Sequence, residues 1–86
     1  MNTITLHPHV TCVPCGDGMT LLDERSGRYW QINATGALIV RQLLDGATPQ
    51  QAAAALAAKY PGATHADDDV EQLIASLREK HLLADA

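Results

Sequence analysis

The stretch Leu22-Asp23-Glu24-Arg25-Ser26-Gly27-Arg28-Tyr29-Trp30-Gln31-Ile32-Asn33 is where the chain stops alternating and begins to wind. Glu24-Arg25-Ser26-Gly27 is a turn, and Arg28 to Ile32 is a run of aromatic and branched residues that suits a strand. Asn33 then offers a side-chain oxygen to cap a helix. Period-2 alternation sends Arg28, Trp30 and Ile32 to one face of this strand and Tyr29 and Gln31 to the other. Because Ile32 immediately precedes the first helix, the face holding Trp30 and Ile32 is expected to pack beneath the helices.

Upstream, the residues read as two more strands. Val10 to Val13 is β-prone between Pro8 and Pro14, Cys15-Gly16-Asp17-Gly18 is a turn, and Met19 to Asp23 is a second apolar run. Loops this short make an antiparallel meander with strands at about 9–32 in the order one, two, three. Downstream, three helices follow at about 34–45, 49–60 and 66–81. Gly46 supplies a left-handed stop for the first. Thr48-Pro49-Gln50-Gln51 starts the second, with Thr48 as cap, Pro49 at the first helical position and Gln51 completing a capping box. Asp67, Asp68 and Asp69 suit the positive end of the third. At 100° per residue Val70, Leu73, Ile74, Leu77 and His81 of that helix share one arc, a stripe for the core or for a partner. The expectation is an α+β fold of the winged helix-turn-helix order, a three-stranded antiparallel sheet followed by three α-helices, as one domain over residues 1–86.

Composition narrows the function classes. The chain has 86 residues, 47% of them hydrophobic, with one Trp, two Tyr and no Phe, so the core is aliphatic. No run approaches the roughly 20 apolar residues that span a bilayer, and the N-terminus lacks the basic-then-apolar order of a signal peptide. The protein is therefore read as soluble and cytoplasmic. Residues 1–63 balance acids against bases, and the excess behind the net charge of −4 lies in residues 64–86, at Asp67, Asp68, Asp69, Glu71, Glu79 and Asp85. A phosphate-binding surface needs the opposite sign.

An open sheet edge presents unpaired backbone groups to any extended chain. The first meander strand is flanked by Pro8 and Pro14, which lack the N–H that a new neighbour needs. Arg28-Tyr29-Trp30-Gln31-Ile32 carries no proline and one charge, so it is the unguarded edge. A peptide added there would bond to the strand backbone and drop apolar side chains toward the third helix, the mode called β-augmentation.

The order of motifs also resembles a known family. Leu22 to Ala37, then Leu43-Leu44-Asp45-Gly46-Ala47-Thr48-Pro49, the alanine-rich second helix and the Asp-Val…Leu…Leu pattern of the third are similar to PqqD-like RiPP recognition elements. The similarity is greatest to stand-alone members from split lasso-peptide systems and covers roughly residues 9–84. It implies a cofactor-free binding protein, not an enzyme, that takes the leader of a ribosomally made precursor peptide as an added strand. The implied peptide-binding residues are Arg28, Tyr29, Trp30, Gln31 and Ile32 of the strand. From the third helix they are Asp69, Val70, Leu73, Ile74 and Leu77. The implied partners are a cysteine-protease-like leader peptidase and an asparagine-synthetase-like cyclase. An alternative within the family is a peptide chaperone for a radical-enzyme pathway. Cys12-Val13-Pro14-Cys15 departs from the plain β-formers of the family and puts the length of the first strand in question.

Two rivals come from the residues themselves. A winged-helix DNA-binding role needs basic residues on a reading helix, yet the second helix offers Lys59 alone and the third opens on three aspartates. His7, His9, Cys12 and Cys15 form a zinc-like ligand set within nine residues. His7 and His9 share a strand face around Pro8, however, which leaves little freedom to close a tetrahedron, and incidental thiols are the favoured reading. No nucleophile elbow, phosphate loop or metalloprotease pair is present, so no catalytic residue is assigned.

Overall fold

The computed structural model describes residues 4–85. Its elements run β1 (Ile4–Leu6), β2 (Val10–Cys15), β3 (Gly18–Asp23), β4 (Tyr29–Ile32), α1 (Ala34–Leu44), α2 (Pro49–Lys59), α3 (Ala66–Glu79) and β5 (Leu83–Asp85). The meander is an antiparallel sheet of order β2-β3-β4. Three helices follow it, so the fold is α+β as the patterning implies. The sequence reading leaves out a second sheet, in which β1 pairs antiparallel with β5 and brings Ile4 opposite Asp85 and Leu6 opposite Leu83. Strands of three residues are too short to imprint a period, and their pairing depends on contacts about eighty positions apart.

Caps fix the helices in place. The Asn33 side chain accepts the Gly36 N–H at 3.0 Å, and Thr48 and Gln51 make the reciprocal bonds of a capping box. The α2 helix presents Ala52 and Ala53, both buried, beside a single large core side chain, Leu56. Small residues there let α2 lie between α1 and α3, against both of which it packs. The core joins Met19 and Leu21 of β3, Ile39, Val40 and Leu43 of α1, and Val70, Ile74 and Leu77 of α3. Leu82 and Leu83 seal it from the C-terminal side.

Both α1 and α3 end in the same pair of hydrogen bonds. After α1, Gly46 N–H donates to Leu43 C=O and Ala47 N–H to Gln42 C=O; after α3, His81 N–H donates to Arg78 C=O and Leu82 N–H to Leu77 C=O. The motif needs a left-handed residue, supplied by Gly46 at φ 95° and by His81 at φ 59°. Helix α3 therefore stops at Glu79, and His81 belongs to the stop rather than to the helical stripe expected from periodicity. A residue with a Cβ costs about 1–2 kcal/mol in that conformation.

Candidate functional site

The β3–β4 turn is built around one carboxylate. Asp23 accepts the Arg25 N–H at 2.9 Å and the Ser26 hydroxyl at 3.1 Å, and its own C=O takes the Gly27 N–H at 2.8 Å. Ser26 Oγ in turn accepts the Arg28 N–H at 3.2 Å. Desolvation pushes the Asp23 carboxyl up, but the Arg25 backbone N–H, the Ser26 hydroxyl and N–H, and the His9 ring together hold it below its ordinary value of 3.8.

Hydrogen-bond parity then decides which backbone groups of β4 are free. Asp23 N–H donates to Arg28 C=O, and Glu24 N–H donates to His9 C=O on the opposite side. In an antiparallel pair the bonding residues alternate, so Leu21 with Trp30 and Met19 with Ile32 bond within the sheet. Tyr29 and Gln31 direct their N–H and C=O groups away from β3, where no strand lies among the described residues. Of the five residues expected at this edge, these two supply the outward backbone. Trp30 and Ile32 use their in-plane groups inward, Arg28 offers β3 its C=O while its N–H goes to Ser26 Oγ, and all three carry their side chains on the face toward the helices. The burial pattern follows: Tyr29 is 64% exposed and Gln31 is exposed, while Trp30 and Ile32 are half-buried against the core.

The same parity places Val10, Cys12 and Pro14 on the outer edge of β2. Pro14 thus occupies a position whose N–H would otherwise face a neighbour. The C-terminal segment, an obvious candidate to cover β4, pairs with β1 instead.

Helix α3 faces β4 across a groove. At one end a hollow of about 380 Å³ lies between Asn33 and Gly36 on one side and Asp69, Gln72 and Leu73 on the other. A Cβ at Gly36 would stand 2.6 Å from Ile32 Cγ2 and 3.9 Å from Leu73 Cδ2, so the glycine is what lets strand, α1 and α3 meet there. At the other end an open cleft of about 1040 Å³ runs from Arg28 and Trp30 to Glu79, Lys80 and His81. Along α3 the residues Asp69, Leu73, Ser76 and Lys80 share an arc of roughly 60°. From Asp69 to the C-cap Lys80, eleven residues further on, the chain rises about 16 Å, enough to flank four or five strand residues.

The third-helix residues expected at the site thus divide. Leu73 is half-buried and reaches the groove, and Asp69 is exposed at its edge. Val70, Ile74 and Leu77, at 1%, 6% and 2% exposure, lie behind them in the closed core. Gln72, Lys80 and the close approach at Gly36 carry no signal in the apolar period: Lys80 falls just beside the Leu73 edge of the stripe and Gln72 about 100° beyond it, where a polar residue reads as solvated.

The structure does not bring His7, His9, Cys12 and Cys15 together. The two imidazoles stack at 5.0 Å, Cys12 packs on the core side with its Sγ 3.5 Å from Met19 Sδ, and Cys15 is exposed. Among the described residues no three His, Cys, Asp or Glu side chains gather as metal ligands. Nor, among them, is any helix long and apolar enough to cross a membrane.

Comparison with known proteins places this geometry. No curated protein matches the sequence. Among solved structures, one described as "Lasso peptide synthetase B1 complexed with the leader peptide" is similar at a TM-score of 0.87 and 41% identity, over 95% of this chain and 98% of that one. A second, "TbiB1 in Complex with the TbiA(beta) Leader Peptide", is similar at 0.82 and 25% identity, over 92% and 93%. The family model for coenzyme PQQ synthesis protein D (PqqD) matches residues 18–83. With most of its length under that model, and an open β4 edge beside α3, the chain belongs to the PqqD family.

Proposed function

We propose that the protein captures the leader segment of a ribosomally made precursor peptide as a fourth strand on β4. The observation that carries this reading is the free backbone of Tyr29 and Gln31 beside a groove walled by α3, in a fold shared with two solved structures described as leader-peptide complexes. A guest strand would exchange up to four main-chain hydrogen bonds with Tyr29 and Gln31. Its alternate side chains would fall against Trp30, Ile32 and Leu73, backed by Val70, Ile74 and Leu77, with Asp69 at the groove's rim. Main-chain bonds then set affinity and the groove sets selectivity.

The protein itself performs no chemistry in this scheme. It holds the precursor's cleavage site near a cysteine-protease-like leader peptidase and hands the product to an asparagine-synthetase-like cyclase, raising effective concentration. Leader capture for lasso-peptide processing is favoured over a radical-enzyme pathway because both solved likenesses come with leader peptides and one is a lasso peptide synthetase.

The test is an amide NMR titration with the leader peptide of the 41%-identical complex as probe. Shifts concentrated at residues 28–32 and along the Asp69 to Lys80 face, with a dissociation constant in the low micromolar range or about −8 kcal/mol, are expected. Shifts that avoid both elements sink the binding mode.

A further inference from the structure

We infer that the cleft at the Arg28 end of the groove is a receptor for a carboxylate side chain of the bound peptide, an inference that rests on strand capture at β4. The chain is acidic overall, with six Lys and Arg against ten Asp and Glu. Yet three of those six cations, Arg25, Arg28 and Lys80, line this one cleft, and so do three of the four histidines, His7, His9 and His81. The carboxylates present do not neutralise them. Asp23 is engaged by its own turn, and the ion contact recorded for it is with His9 at 3.9 Å. Glu79 also borders the cleft, without an ion pair among the described residues, and the Lys80 ammonium donates to the Ser76 hydroxyl at 2.7 Å. The Arg25 and Arg28 guanidinium groups have no acidic partner within 4 Å among the described residues.

His81 is the second observation. It stands in the left-handed position that the equivalent stop after α1 gives to Gly46, and its strained backbone puts an imidazole at the cleft wall. Strain held where glycine would relieve it points to the side chain as the reason.

Strand geometry fixes where the carboxylate comes from. Guest residues directly opposite Arg28, Trp30 and Ile32 share their face, so the acid belongs opposite Arg28. Two residues along the guest comes the side chain over Trp30, and two further the one over Ile32 near Leu73. The preferred guest therefore carries Asp or Glu at one end of an apolar pair, in the spacing acid-x-apolar-x-apolar or its reverse.

The experiment pans phage-displayed random dodecapeptides on the 86-residue chain. The highest-affinity sequences are then synthesised with the acid intact and as the amide, and measured against wild type, His81→Gly and Arg28→Gln. We expect Asp or Glu at one register two residues from an apolar position, and about a tenfold loss of affinity on Glu→Gln. His81→Gly should melt at or above the wild-type temperature, because the backbone strain is gone, and should bind the acidic peptide several-fold more weakly while the amide peptide is little changed. Arg28→Gln should shrink the acid-to-amide ratio in the same way. Binders without acid enrichment, or an unchanged ratio in both variants, overturn the carboxylate receptor while leaving strand capture intact. Displacement by inorganic phosphate with no acid register in the peptides overturns it in favour of a free-anion site. Retention of no peptide by the wild-type chain overturns both.

Discussion

The two edges of the β2-β3-β4 sheet are chemically opposite. On β2 the outward positions are Val10, Cys12 and Pro14, and the proline removes a donor where a neighbour would dock. On β4 the outward positions are Tyr29 and Gln31, both with donors and both exposed, and a helix stands off far enough to leave a groove. Edges of natural sheets are usually blunted, since an unblunted one recruits other chains. Guarding one edge and leaving the other open beside a half-apolar wall makes sense if the open edge has a guest.

Proline substitution breaks the comparison most severely. Trp30→Pro removes an N–H that bonds to β3 and should cost about 3 kcal/mol or more, visible as a lost or strongly lowered thermal transition. Gln31→Pro, one residue along, removes an outward N–H and should leave the fold in place while weakening leader binding by tenfold or more. Equal destabilisation by both would mean that the bonding parity of β4 is misassigned.

The wall of the groove separates binding from stability in the same manner. Ile74→Ala deletes a core side chain at 6% exposure and should destabilise by about 2–5 kcal/mol in denaturant melts. Leu73→Ser, adjacent in sequence but half-buried at the groove, should cost less stability and weaken peptide binding by tenfold or more in calorimetric titration. A Leu73 variant that binds normally would move the pocket to the other flank of α3.

Much of this was legible in the sequence, and the exceptions have physical reasons. Asn33, Thr48 and Gly46 announce helix ends through local chemistry, and Arg28 to Ile32 announces an open strand through the proline it lacks. The Val70, Ile74 and Leu77 period reveals that α3 has an apolar face but not how that face is rotated against β4. Rotation depends on the close approach at Gly36 and on α2 packing, both tertiary. The β1–β5 ribbon was invisible because each strand is three residues long. Periodicity alone places His81 in the helical stripe, because no local signal marks a non-glycine left-handed stop.

Opening the guarded edge is the gentler converse. Pro14→Thr restores an outward donor on β2, and stability should change by no more than about 0.5 kcal/mol because the position is exposed. What should change is association: light scattering at high concentration is expected to detect dimers absent from the wild type. A variant that stays monomeric would show that proline is not what blunts β2.

The smallest effect concerns the turn that delivers β4. Asp23 is held below 3.8 in the folded protein, so its contribution is complete above that ordinary value and fades as pH falls through the lowered folded value. Acidification below about pH 4 should therefore loosen the Asp23 to Arg28 turn first. The expected signature is faster amide exchange at Arg25 and Gly27, whose N–H groups bond to the Asp23 side chain and C=O. In Asp23→Asn the same amides should exchange faster already at neutral pH and lose the acid dependence. Exchange that accelerates identically in the variant would assign the acid sensitivity to another carboxylate and leave the turn a matter of backbone shape alone.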